Sequence, residues 1–168
     1  MKKLLYIFVL FFSGLVWGQK FAYIDTNYIL ENLPEYTQAQ EIVKKKSMEW
    51  QGEAEKMQTE LTLKIDALKQ ERLLLTETQI QEREKEILEL QKALTDFKNE
   101  IFGPEGKLIE TRKGLVLPIQ NKIWEAVNTI AKQRDYGFVF DRANGVSMIV
   151  TDPKYDLSKA VLNILTKQ

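Results

Sequence analysis

Three aspartates, Asp25, Asp141 and Asp152, are the residues of this sequence whose type and position could support catalysis. Each follows a short apolar segment with the composition of a β-strand, so their carboxylates could meet at a sheet edge as an acid–base set. The chain contains no His and no Cys, which removes the commonest general base and all thiolate chemistry. Turn and helix-capping roles account for each aspartate without catalysis. We therefore predict no enzyme activity, no cofactor and no metal site, and we place a carboxylate-dependent hydrolase last among the alternatives.

A second motif, Gly103-Pro104-Glu105-Gly106-Lys107, has the look of a phosphate-binding loop. Such a loop needs about four residues between its glycines and a Ser or Thr after the lysine. Here two residues separate the glycines, and Leu108 follows the lysine. Gly and Pro interrupt a helical pattern instead. We predict a kink at residues 102–106, with Gly103, Pro104 and Gly106 as hinge residues.

The element that carries this motif is a long charged stretch, residues 36–114, whose apolar side chains recur at three- and four-residue steps. That spacing is typical of a coiled-coil seam. The first stripe consists of Val43, Trp50, Ala54, Met57, Leu61, Ile65, Leu68 and Leu75, and the second of Ile80, Ile87, Leu90, Leu94, Phe97 and Ile101. A capping-box spacing from Thr76 to Gln79 predicts a new helix between the stripes. A continuous rod would hold the flanking strands roughly 100 Å or more apart. We therefore predict an antiparallel helical hairpin, the arm, with its tip near residues 75–79.

Residues 19–35 and 115–168 are predicted to form a body from which the arm projects. Three short strands are expected there: Lys20–Asp25, Phe138–Asp141 and Val146–Thr151, the last two joined at Asn144-Gly145. Tyr23, Phe138 and Phe140 are expected in the body core. A sheet this small has open edges and little core, so we expect several copies of the chain to share it. The predicted fold class is α+β, with a small shared β body and a long α-helical hairpin.

The first 18 residues have the three-part layout of a secretory signal peptide. Lys2 and Lys3 precede an unbroken apolar run, Leu4–Phe12, and the small residue Gly18 follows it. The apolar span Leu4–Trp17 is shorter than the ~20 residues that a membrane-spanning helix needs. We therefore predict export with cleavage after Gly18, rather than retention as an uncleaved anchor.

The assembled pattern resembles the Skp family of periplasmic chaperones, also called OmpH. The resemblance is carried by FAYIDTNYILENLPEY (Phe21–Tyr36), VLPIQNKIWEAVNTIAKQRDYGFVFD (Val116–Asp141) and DLSKAVLNIL (Asp156–Leu165). The charged arm matches in residue type. The resemblance implies a homotrimer with a small shared barrel, whose hairpins enclose a cavity. It also implies a periplasmic, ATP-independent holdase that keeps unfolded outer-membrane β-barrel proteins from aggregating. No small-molecule substrate is implied, and peripheral contact with a membrane is left open.

The chain carries 24 basic and 24 acidic residues, which argues against nucleic acid as a partner because such proteins present a basic face. Well-known members of the chaperone family are strongly basic, so we carry over no basic client-binding or lipopolysaccharide-binding position. Trp50, Met57 and Phe97 are candidate client contacts, since Met and aromatic side chains adapt to many partners. Their place in the stripes favours packing between helices. The alternative function is a structural coiled-coil adaptor of the cell envelope that binds one folded partner.

Overall fold

The computed structural model describes residues 19–145 and 147–167, so the predicted signal peptide at residues 1–18 lies outside the described part. The described chain divides into two compact units, a body unit (residues 19–33 and 122–167) and an arm unit (residues 34–121). The elements in chain order are β1 (Phe21–Ile24), α1 (Thr26–Glu31), α2 (Pro34–Glu71), α3 (Glu77–Phe102), α4 (Lys107–Arg134), β2 (Phe138–Asp141) and α5 (Ser158–Leu165). Short 3-10 turns lie at Arg72–Leu74 and Pro153–Tyr155.

Helices α2 and α3 form the predicted antiparallel hairpin, which the structure confirms. Helix α2 begins at Pro34. Proline is tolerated at the first helical position because the N–H there has no partner within the helix. The Thr76 hydroxyl accepts a hydrogen bond from the Gln79 N–H at 3.4 Å, and the Gln79 side chain accepts one from the Thr76 N–H at 2.9 Å. This reciprocal capping box starts α3 directly after the reversal, because both orphan N–H groups are satisfied there.

The two apolar stripes meet inside the hairpin. Ala54 and Leu61 of α2 and Leu94 of α3 are buried, and five further side chains pack around them: Met57, Ile65, Ile87, Leu90 and Phe97. We call these eight residues the seam cluster. Near the reversal, Lys64 pairs with Glu86, Arg83 with Glu71 at 2.8 Å, and Arg72 with Glu84 at 3.6 Å. Exposed ion pairs add little stability. The apolar packing of the seam cluster is therefore expected to contribute more to the stability of the hairpin than these ion pairs do.

Helix α3 ends at Phe102, and residues 103–106 separate it from α4. The Gly103 N–H donates to the Asn99 carbonyl at 2.9 Å, and the Gly106 N–H donates to the Gly103 carbonyl at 2.9 Å. A Cβ atom on Gly103 would lie 2.3 Å from the Asn99 carbonyl oxygen, and one on Gly106 would lie 2.5 Å from that of Ile101. The close approach of backbone to backbone therefore requires glycine at both positions.

Strands β1 and β2 of the body unit pair in parallel, with Phe21 opposite Phe138 and Tyr23 opposite Phe140. Parallel strands need a long crossover, and every residue from α1 to α4 belongs to it. On the other edge of β1, the Tyr23 carbonyl accepts a hydrogen bond from the Leu157 N–H at 2.9 Å. The buried apolar residues of this unit are Ala22, Tyr23, Ile24, Ile29, Leu30, Leu33, Ile123, Ala126, Ile130, Leu157 and Val161.

Two predictions for the body were wrong for the single chain. The strand expected at Val146–Thr151 is absent from the described residues 147–151, although Asn144 and Gly145 do lie in a turn. Ile149 is 94% exposed, so the chain after this turn has no apolar layer to pack on, and an isolated hairpin is unstable. Phe138 and Phe140 are 50% and 38% exposed rather than buried, whereas the prediction for Tyr23 is confirmed.

Candidate functional site

The aspartates that could have formed an acid–base set serve as caps and turn anchors. The Asp141 carboxylate accepts hydrogen bonds from the Thr26 N–H at 3.2 Å and from the Thr26 hydroxyl. It also accepts from the Ala143 N–H at 3.0 Å and from the Asn144 side-chain amide at 2.7 Å. Four donors therefore hold this carboxylate at the end of β2.

The pKa of Asp141 lies below its ordinary value. Burial is the largest single influence and acts to raise it, but the hydrogen bonds from Thr26, Asn144 and Ala143 together outweigh burial and lower the pKa. A general acid working near neutral pH needs a raised carboxyl pKa. Asp141 instead stays ionised and accepts hydrogen bonds, which is a structural role.

The other two aspartates, Asp25 and Asp152, also form capping hydrogen bonds and ion pairs. Asp25 caps α1 through the Tyr28 N–H at 3.0 Å and pairs with Arg142 at 3.0 Å. Asp152 accepts from the Lys154 N–H at 3.0 Å and pairs with the Lys154 ammonium at 2.7 Å, and these interactions with Lys154 lower the pKa of Asp152. Within the described residues, no group of three or more His, Cys, Asp or Glu side chains could hold a metal ion.

Ser158 is a polar core residue that the sequence patterns did not indicate. It is buried and accepts a hydrogen bond from the Asp25 N–H at 2.8 Å. The Ser158 hydroxyl donates a hydrogen bond to a carboxylate oxygen of Asp156 at 2.5 Å. The same oxygen also accepts a hydrogen bond from the Ser158 N–H at 2.8 Å. These bonds join β1 to the start of α5, so the serine is a structural link and not a nucleophile.

The three predicted client contacts lie in two kinds of place. Met57 and Phe97 belong to the seam cluster, where the hairpin brings them to the same apolar contact. Trp50 is half-buried on α2 and lies outside that cluster. The predicted hinge residues Gly103, Pro104 and Gly106 all lie in the segment between α3 and α4.

Large apolar side chains that sequence reasoning missed are exposed on the arm unit. Leu73 and Leu74, in the 3-10 turn after α2, are 97% and 85% exposed. Others on the helices are Ile42, Met48, Leu63 and Leu88. All six lie off the two seam stripes, so a search for periodic apolar residues could not select them. An excess of leucine at a helix reversal was the one available signal.

A groove runs along the arm unit between α2 and the first part of α4. Its volume is about 560 Å³, and it is lined by Tyr36, Ala39, Gln40, Val43, Lys44, Ser47, Met48, Gln51, Leu108, Arg112 and Val116. Its apolar side chains are half-buried or exposed, apart from the buried Ala39.

The described helices include none that is long and apolar enough to span a bilayer.

Comparisons of the sequence and of the fold with known proteins both find OmpH-like proteins. A family model described as "Outer membrane protein (OmpH-like)" matches residues 20–165. The fold is similar to the crystal structure of an OmpH-like protein from Caulobacter crescentus CB15 that has been assigned as an outer membrane chaperone. The TM-score is 0.76 at 10% sequence identity, and the match covers 89% of this chain and 85% of that chain. At this identity the likeness concerns the fold alone. No curated protein gives a significant match.

Proposed function

The chain belongs to the OmpH-like family of outer membrane proteins, as its sequence predicted, and on that premise we propose that it is a periplasmic holdase chaperone. In this proposal the protein binds unfolded outer-membrane β-barrel proteins without ATP and prevents their aggregation. It is exported by a signal peptide that is cleaved after Gly18. The single observation that carries the proposal is the set of large apolar side chains exposed on the arm unit.

The placement of these side chains suits weak binding to many segments. All eight side chains of the seam cluster come from the two helices of one hairpin. The exposed Leu73 and Leu74 are therefore not needed to hold these helices together. A fully buried leucine side chain gives about 1.5–3 kcal/mol, which is too little to retain a client through a single contact. Several such contacts on one chain raise the overall affinity by multivalency. The charged residues between them keep the arm itself soluble.

We propose a homotrimer in which copies complete one another's body. Phe21, Phe138 and Phe140 stack with ring centroids 5.7 to 6.4 Å apart and are substantially exposed. Ile149 and Val150 are also exposed, and Val150 lines the same cleft as Phe21 and Phe140. An aromatic face and apolar strand-like residues of this kind are suited to a neighbouring copy. The number three rests on the family resemblance.

Trp50 remains a proposed client contact, because it is half-buried outside the seam cluster. Met57 and Phe97 are also half-buried, but they pack within the seam cluster, so we propose hairpin packing as their main role. Gly103, Pro104 and Gly106 are proposed as the hinge, since the α-helix is interrupted there and the arm must adapt to clients of different size.

The proposal is tested by diluting a urea-unfolded outer-membrane barrel protein into buffer with and without the purified chain. Light scattering then follows aggregation of the client. We expect scattering to fall to the buffer level at a fixed ratio of chain to client, with no added nucleotide. If scattering is unchanged and the chain instead captures one folded envelope protein, the structural adaptor is the better account.

A further inference from the structure

The groove between α2 and α4 is built from two facing stripes of side chains within the arm unit. On α2 the stripe is Ala39, Val43 and Ser47, and on α4 it is Leu108, Arg112 and Val116. Both repeat every four residues, so each lies along one side of its helix. The small side chains Ala39 and Ser47 leave space that larger residues would fill. The backbones of α2 and α4 approach each other closely at far fewer places than those of α2 and α3.

The charges that line this groove are of one sign. Lys44 and Arg112 are its charged lining residues, and no carboxylate among the described residues lines it. Both side chains are exposed, and neither forms an ion pair with another described residue. Near the hairpin reversal, by contrast, Lys64, Arg72 and Arg83 are each paired with a glutamate. A groove with apolar walls and two unpaired cations complements an apolar ligand that carries a negative charge.

We infer that this groove binds client segments in which apolar side chains alternate with carboxylates. The inference rests on the proposed holdase function and specifies which part of an unfolded client this site selects. Val43, Met48 and Leu108 supply apolar contact, and the Arg112 guanidinium can hold a carboxylate through two parallel hydrogen bonds. The volume of about 560 Å³ falls in the ~300–1,000 Å³ range of ligand pockets.

Polar side chains in the groove favour a peptide over a lipid as the occupant. Gln40 and Gln51 carry amides at its rim, and Gln51 donates to the Ser47 hydroxyl at 3.2 Å. The Gln51 carbonyl oxygen and the Gln40 amide have no partner among the described hydrogen bonds. They can pair with the backbone N–H and C=O groups of an extended peptide. A fatty acyl chain has no groups that would use them.

The test uses the full chain, purified after export, and a fluorescent unstructured peptide that alternates apolar residues with glutamates. Anisotropy gives the dissociation constant for this peptide and for a version with lysines in place of the glutamates. We expect the acidic peptide to bind more tightly. Arg112→Glu should weaken its binding about tenfold or more, the scale of one lost charge-assisted hydrogen bond. Lys44→Glu should weaken it to a smaller degree.

Matched controls lie next to both cations. Lys113→Glu and Lys45→Glu make the same charge change on exposed residues that do not line the groove, so their binding should stay within about twofold of the unsubstituted chain. Arg112→Glu should also bind the lysine peptide better than the unsubstituted chain does. Helical content by circular dichroism checks that each variant is folded.

Three results would overturn the inference: equal binding of the two peptides, equal losses in the groove variants and their controls, or binding of anionic lipid vesicles with no binding of either peptide. The peptide is itself the probe, so the groove is judged independently of the aggregation assay. If the chain suppresses aggregation while Arg112→Glu leaves peptide binding unchanged, the groove assignment fails and the holdase stands. If aggregation is not suppressed but the groove variants alone lose the acidic peptide, the holdase fails and the groove stands.

Discussion

The carboxylate of Asp141 accepts hydrogen bonds from both the backbone N–H and the hydroxyl of Thr26, a residue 115 positions earlier in the chain. The end of β2 is thereby fixed to the first turn of α1. The body unit is interrupted in sequence by the whole arm unit, so its two parts need specific links. This aspartate provides one of them and also anchors the turn at residues 142–145.

Asp141→Ala should destabilise the body unit by about 2–3 kcal/mol, because hydrogen bonds to a charged group are lost and the Thr26 N–H is left without its acceptor. Thermal unfolding of the purified protein measures the change. Asp152→Ala is the control, since Asp152 bonds only within its own exposed turn, and it should change the midpoint far less. Equal midpoints for the two variants would contradict the linking role of Asp141.

Stability should also depend on pH through Asp141. Its pKa is lower in the folded chain than the ordinary value of about 3.9, so the folded state favours the ionised form. The resulting stabilisation is fully present above pH ~4 and is lost as the pH falls through the lower folded-state pKa. The free energy of unfolding, measured by urea titration at a series of pH values, should fall below pH ~4. Asp141→Asn should flatten that fall, and an identical profile in the variant would argue against it.

The seam cluster should dominate the stability of the hairpin. Leu61 is 5% exposed, whereas Leu63 on the same helix is 66% exposed. Leu61→Ala should therefore cost about 2–4 kcal/mol through lost burial and a cavity, and Leu63→Ala less than ~0.5 kcal/mol. Urea unfolding followed by helical circular dichroism compares the two. Similar losses would mean that the hairpin does not pack along this seam.

The two kinds of glycine in the arm unit should respond in opposite directions. A Cβ atom on Gly52, within α2, would meet no neighbouring group within 4 Å, whereas a Cβ on Gly103 would lie 2.3 Å from a carbonyl oxygen. Gly52→Ala should stabilise the helix by up to ~1 kcal/mol, and Gly103→Ala should destabilise the arm.

In the proposed hinge, amide hydrogen exchange at residues 102–106 should be faster than in the flanking helices. Uniform exchange across this region would contradict the hinge.

The exposed leucines at the hairpin reversal should matter for the client and not for the fold. Leu73→Ser with Leu74→Ser should raise the amount of chain needed to suppress client aggregation, because two contacts are removed. The thermal midpoint should change little, since both side chains are almost fully exposed. Gln70→Ser with Thr78→Ser provides a polar control from the same region. The same suppression by both double variants would exclude these leucines as client contacts.

The sequence was sufficient for the features that depend on local pattern. The capping box at Thr76 and the periodic seam residues predicted the hairpin, because both signals act within one or two helical turns. The exposure of Phe138 and Phe140 could not be predicted, since it depends on whether a second apolar layer covers the sheet. The groove was missed for a similar reason. Lys44 and Arg112 come together only through the way α2 and α4 lie side by side.

The most direct test of the holdase proposal is the mass of the soluble product formed when a urea-unfolded outer-membrane barrel protein is diluted into a solution of the purified protein. Size exclusion with light scattering gives that mass. The account predicts a discrete complex of one client with three chains. It is contradicted if the client precipitates as it does alone while the chain elutes at an unchanged mass.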